Sequence, residues 1–296
     1  MKKTLATLLT AAIVGANTGT FSVEKNSQGD VSKISVFVPS ADQDEYTDMH
    51  FSEIDAPGTP FKYVHIGRLA GGHPPAHWME EHWDAHFYTF GEKTVQSIAP
   101  IFPGQDCGGG VLATAPPAEM AGWPFPAVCF CQTKSAPDGG PQGVSCTHAE
   151  TYSQLEGTGK LPDGYEIDES RLIVPANGIH YFVPPTDKNT EAGNWNTFVY
   201  GGIEDKVGFF EPMVAHKVFK TANRCWDIPK PAKVDHPELR YPTKYCVRQE
   251  RGGSSISIED FAKNMAIGCV DTNGNACNPN SRRLLFGGAK MACTCP

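Results

Sequence analysis

The sequence predicts a β-rich α+β protein: an antiparallel sandwich or barrel-like body followed by a disulfide-rich C-terminal appendix with one short helix. Three observations carry this. Short runs of β-branched and aromatic residues recur along the chain, 30 glycines and 24 prolines break nearly every gap between them, and six of the ten cysteines fall after residue 220. Long helices do not tolerate such punctuation, whereas strands joined by turns require it.

Taken in order, the chain opens on Met1, Lys2 and Lys3, then an apolar run over 4–14 that closes on Val14-Gly15-Ala16. A basic start, a short apolar segment and small residues before a cleavage point read as a secretory signal peptide over 1–16, cut after Ala16. A membrane span needs about 20 apolar residues, more than this run supplies. Residues 17–32 are polar and rich in Ser, Asn and Gly, and read as a flexible lead-in.

The β-rich body is assigned to 33–220. Strands are expected over 34–38, 61–66, 94–98, 171–174, 180–183, 197–200, 207–210 and 216–219. The runs at 197–200 and 207–210, with Gly201-Gly202-Ile203-Glu204-Asp205-Lys206 between them, read as a hairpin with a longer loop. From Thr221 the composition shifts to cysteine and proline, and 221–296 reads as a Cys-rich appendix or a small separate domain. Its expected helix starts at Ser257, where Ser257 and Asp260 cap backbone donors and Ile258, Phe261, Ala262 and Met265 form an apolar stripe, and it ends at Gly268.

The formal net charge is −8, and loss of Lys2 and Lys3 with the leader makes it more negative by two. With no basic patch to offset this, nucleic acid and anionic membrane surfaces are excluded as expected partners. After the leader no stretch is long and apolar enough to span a bilayer. An even number of cysteines in an exported chain points to disulfides and to a secreted or periplasmic location. Two bonds are expected among Cys107, Cys129, Cys131 and Cys146, and three among Cys225, Cys246, Cys269, Cys277, Cys293 and Cys295, with the pairing open. Cys129-Phe130-Cys131 and Cys293-Thr294-Cys295 lack the two-residue spacing of zinc ribbons and thioredoxin-like sites. The absence of Asn-x-Ser/Thr acceptors favours the periplasm.

The segment Asp271-Thr272-Asn273-Gly274-Asn275 starts like a calcium loop. Ala276 then stands where a glycine makes the sharp turn, and Arg282 where a bidentate glutamate closes the site, so a polar turn is the better reading. No Gly-x-Ser-x-Gly elbow and no Gly-rich phosphate loop occur, which leaves little weight on serine hydrolase, kinase and nucleotide-binding readings.

The chemistry-bearing cluster is His73, His77, His82 and His86 with Glu80, Glu81, Asp84 and Tyr88: four of the ten histidines within one short stretch. Imidazole and carboxylate are the usual ligands of zinc, iron and manganese. As a helix, 82–86 sets His82 and His86 on one face, with Met79, Trp83, Phe87 and Phe90 as the buried stripe. As a strand, His82, Asp84, His86 and Tyr88 share a face, but His82 and His86 stand about 13 Å apart and cannot share one ion. Periodicity leaves both readings open.

Gly72-His73-Pro74-Pro75, His82-Trp83-Asp84-Ala85-His86-Phe87-Tyr88, Pro175-Ala176-Asn177-Gly178-Ile179-His180, Phe198-Val199-Tyr200-Gly201 and Phe210-Glu211-Pro212-Met213 together resemble a family of exported bacterial proteins first defined in Thermus and catalogued as a domain of unknown function. The resemblance covers about residues 60–220. It implies a β-rich fold in which the His-x-Asp-x-His block is a strand, and no settled activity. The family pattern has proline just before that block, where this chain has Glu80-Glu81, and the six-cysteine tail lies beyond the pattern.

On the matched positions, His82, Asp84, His86 and His180 are the expected metal ligands and Glu211 the proton-relaying residue around one pocket, with His73 and Tyr88 supporting them. His65, His148, His216 and His236 lack such company. Two functions follow. One is an exported, non-catalytic binding protein for a metal ion or small molecule, with assembly into a homo-oligomer consistent with it. The other is a metal-dependent hydrolase or lyase acting on a small substrate. The competing structural account is a buried polar network that fixes the fold and binds nothing.

Overall fold

The computed structural model describes residues 10–12, 19–44, 47–73, 78–96, 155–167, 173–174, 177–183, 193–203 and 205–263. These form two antiparallel sheets packed as an open sandwich. The first has six strands: β1 (Thr10–Ala12), β2 (Thr20–Lys25), β3 (Val31–Pro39), β14 (Gly253–Glu259), β13 (Lys244–Glu250) and β12 (Arg224–Asp227), in that spatial order. The second runs β4 (Asp48–Ser52), β5 (Tyr63–Leu69), β6 (His82–Tyr88), β11 (Lys206–Ala215), β10 (Asn196–Ile203), β9 (Gly178–Phe182) and β7 (Glu166–Ile167), with β8 (Ile173–Val174) also paired to β9. Two short helices, α1 (Glu92–Gln96) and α2 (His216–Thr221), complete it. Among the described residues no helix is long and apolar enough to cross a membrane.

The core forms where alternate residues of the two sheets meet. Ile34 and Val36 of β3, Ile256 and Ile258 of β14 and Val247 of β13 face inward from one sheet; Val64, Trp83, Phe87 and Phe210 do so from the other, all buried. Phe61 bridges the layers, with its ring centroid 5.4 Å from that of Phe210 and 6.0 Å from that of Phe261. Full burial of side chains of this size contributes about 1.5–3 kcal/mol each.

Four expectations are corrected. Residues 20–25 are not a flexible lead-in: Phe21 and Val23 alternate as a strand requires, and β2 pairs with β3. The polar stretch that suggested mobility is the turn between them, closed by the Asn26 carboxamide oxygen, which accepts from the Gln28 and Asp30 amides at 3.0 Å each. The expected helix at Ser257 is strand β14, because Ser255-Ile256-Ser257-Ile258 alternates with period two, and that pattern lies in register with β3. The 3.6-period stripe through Phe261 was coincidental: Asp260 turns the backbone to φ 56°, and Ala262 forms an isolated bridge to Tyr241.

The other two corrections run the opposite way, from strand to helix. Residues 92–96 form α1 with Val95 buried, and 216–221 form α2, where Val218 and Phe219 are buried in succession as a strand with one wet face does not allow. The Phe219 ring lies 4.5 Å from Trp83, centroid to centroid.

As far as Lys263 the C-terminal region is built into the first sheet, where β14 pairs with β3. The hairpin is tighter than expected, since β10 reaches Ile203 and β11 starts at Lys206. Cys225 and Cys246 lie directly opposite in β12 and β13 and form a disulfide. The other eight cysteines lie outside the described residues, as do His77, His148, the 271–282 segment and the expected strand 94–98 beyond Gln96.

Candidate metal centre

Strand β6 settles the conformation of the histidine block. Its odd-numbered residues, Trp83, Ala85 and Phe87, face the other sheet, and its even-numbered residues, His82, Asp84, His86 and Tyr88, face the opposite side of their own sheet. Both sides are buried. A central strand covered on both faces accommodates charged groups only where partners or ions compensate them.

Neighbouring strands extend that polar face. The β5–β6 register sets Tyr63 against Tyr88 and His65 against His86, and the β4–β5 register sets His50 against His65. On the other flank β11 pairs with β6 at Phe210–Phe87 and again at Met213–Asp84, but not at the two positions between. Pro212 has no N–H to donate, so the ladder opens there. The continuing register sets Glu211 opposite His86 at that opening.

His180 arrives from β9 through a turn that needs glycine. Gly178 has φ +135°, and a Cβ there would come within 2.8 Å of the Gly202 carbonyl oxygen. Asn177, just before it, is buried. Its carboxamide accepts from the Tyr88 hydroxyl at 2.7 Å and donates to His86 Nε2 at 3.0 Å, so Tyr88 and Asn177 together fix the His86 ring. The Phe209 ring packs against both His86 and His180, with centroids 5.1 Å away in each case.

The expected ligands do not meet at one point; they form two groups. In the first, His86, His180 and Glu211 each offer a ligand atom, all within 4.8 Å of one another. Glu211 Oε1 is 3.2 Å from His86 Nε2, and Oε2 is 3.5 Å from His180 Nε2. In the second group, His73, His82 and Asp84 meet the same condition. Asp84 Oδ1 is 3.3 Å from His82 Nε2 and Oδ2 is 3.6 Å from His73 Nε2. His73 is therefore a direct neighbour of the carboxylate instead of a support behind it. Gly72, at φ +66°, lets its backbone approach the Trp78 carbonyl, to which the His73 amide donates at 3.0 Å.

A third group, Asp48, His50 and His65, was not singled out in the sequence and is an internal control. Both oxygens of Asp48 accept from imidazole nitrogens, and His50 Nδ1 pairs with the Tyr63 hydroxyl. These residues satisfy one another. The inner groups do not: His82 Nε2, Asp84 Oδ1, His86 Nδ1 and both oxygens of Glu211 are buried without a hydrogen-bond partner. Several of these atoms lie near one another, yet they are not aligned to donate and accept. An unmet buried polar atom costs about 1–3 kcal/mol, more when charged, so their concentration in two groups is costly for the fold alone.

Electrostatics point the same way. Burial pushes the Glu211 carboxyl up to about 7, against the pull of His180. Burial also pushes His86 and His180 down to about 4, so both rings are neutral at pH 7. Asp84 is held well below the usual carboxylate range: burial opposes ionisation, but His82 and His73 outweigh it.

His65 and His216 prove to have partners. His65 stacks between His50 and His86, with centroids 4.4 and 5.4 Å away. His216 accepts from the Trp83 indole N–H at 3.0 Å. A sequence signal for the outer group exists: Asp48-x-His50 and Tyr63-x-His65 repeat the alternate spacing of His82-x-Asp84-x-His86.

The fold and site thus define a two-sheet antiparallel sandwich with a disulfide and with His, Asp and Glu groups placed to hold metal. Comparison with protein-family models, curated proteins and solved structures finds no match to this chain.

Proposed function

We propose that this is an exported binding protein that holds a divalent transition metal ion between His86, His180 and Glu211. The observation that carries the reading is the buried Glu211 carboxyl group, whose two oxygens lack a hydrogen-bond partner and lie 3.2 and 3.5 Å from His86 Nε2 and His180 Nε2. Two neutral imidazoles and a carboxylate suit zinc, iron or manganese. Export is supported by the leader-like 1–16 segment, and the disulfide and the lack of a membrane-crossing helix among the described residues are compatible with it. Membership of the Thermus-defined family belongs to the same reading, and the strand conformation of 82–88 agrees with what that resemblance implies.

A metal-dependent hydrolase or lyase, with Glu211 relaying protons, uses the same residues. His86 and Glu211 are only 3% and 0% exposed, which favours retention of an ion over turnover of a substrate.

Calorimetric titration with zinc in buffers of different ionisation enthalpy tests the proposal. Glu211, near 7 without metal, must give up its proton to bind, whereas His86 and His180, near 4, are already deprotonated. Binding at His86, His180 and Glu211 is therefore expected to release about one proton at pH 6 and about a tenth of one at pH 8. This release is read in Asp84→Asn, so that His73, His82 and Asp84 do not contribute. Absence of binding, or release that does not change with pH, contradicts the assignment.

A further inference from the structure

We propose that the same sheet face holds a second ion of the same class, between His73, His82 and Asp84. The inference rests on the metal reading above and adds a separate site to it.

The His82 ring is fixed by its surroundings. Nδ1 lies 2.6 Å from the Glu80 carbonyl oxygen, which can only accept, so Nδ1 carries a proton and donates it there. A ligating histidine is commonly oriented by just such a bond from its other nitrogen. Nε2 then faces Asp84 Oδ1 at 3.3 Å, and both atoms are buried without a hydrogen-bond partner, a pair set to share a cation.

His73 completes the set, with Nε2 3.6 Å from Asp84 Oδ2. Trp78 flanks His73 at 5.5 Å and Trp195 flanks His82 at 5.2 Å, centroid to centroid. Both rings limit water access, which strengthens the pull of the carboxylate on a cation. The two groups cannot be one site. His82 and His86 are four positions apart on a strand, about 13 Å, and each has its own carboxylate, from β6 in one case and β11 in the other.

The experiment loads the full chain with zinc, removes excess and measures bound metal per chain. Two equivalents are expected for the unaltered protein, one for Asp84→Asn, one for Glu211→Gln and none for the double variant. His73→Ala, at a partly exposed position, gives a second route to the loss of one equivalent if Asp84→Asn does not fold. A single equivalent that survives Asp84→Asn and disappears in Glu211→Gln overturns the second ion and leaves the first. A single equivalent lost in both variants overturns it too, since one ion would then bridge the groups. No bound zinc at all overturns the metal reading of both groups.

Discussion

Replacing Glu211 by glutamine is expected to abolish zinc binding at His86 and His180 and, at the same time, to stabilise the metal-free protein at pH 8 by about 2 kcal/mol. The sign follows from proton linkage. Unfolded, the carboxyl titrates near 4.5; folded, near 7 because burial disfavours the charge. Below 4.5 it is protonated in both states and costs nothing. Between 4.5 and 7 the folded state holds the extra proton, so stability falls as pH rises, and above 7 the penalty is complete. At about 1.4 kcal/mol per unit the shift amounts to roughly 3 kcal/mol, part of which the glutamine amide forfeits by its own burial. Denaturant unfolding at pH 5 and pH 8 checks this: the gain should be present at 8 and nearly absent at 5. A structural network predicts the reverse, a loss of stability at both pH values, because Glu211 would then be one of its members. Stabilisation on removal of a side chain is the mark of a group kept for binding.

Zinc at a thousand times its dissociation constant is expected to raise the stability of the folded chain by about 4 kcal/mol for each ion bound. For a chain of this size that is a rise in melting temperature on the order of 10 °C. A chelator should reverse it completely, and Glu211→Gln with Asp84→Asn should not respond. Thermal unfolding followed with and without zinc and chelator gives the answer. A rise that persists in the double variant would place the bound ion elsewhere, with the self-satisfied Asp48, His50 and His65 group as the first place to look.

Much of the site was legible because β alternation is short-range. The spacing of His82, Asp84, His86 and Tyr88 already said that, as a strand, they share one face, and that His82 and His86 cannot share an ion. What the spacing did not contain is which distant residue meets which. That Glu211 falls opposite His86 depends on the β6–β11 register, and that Asn177 holds His86 depends on β9 lying two strands further along. The Asp48, His50 and His65 group was missed for the same reason: each D-x-H or Y-x-H unit is unremarkable alone, and only the pairing of β4 with β5 joins them.

Errors in the fold had local causes. Ile258, Phe261, Ala262 and Met265 fit a helical stripe as well as Ile256 and Ile258 fit a strand, and the available partner strand β3 decided between them. At 216–219 the cue was reversed. Val218 and Phe219 looked β-like by residue type, but both are buried within one helical turn, with Phe219 packed on Trp83. In each case tertiary burial overrode intrinsic preference.

The most direct measurement is the anomalous scattering of a crystal grown with zinc. The account predicts a peak at bonding distance, about 2.0–2.2 Å, from one nitrogen each of His86 and His180 and from a Glu211 oxygen. A map with no peak there, and with those three side chains turned to hydrogen-bond with one another or with water, would contradict it.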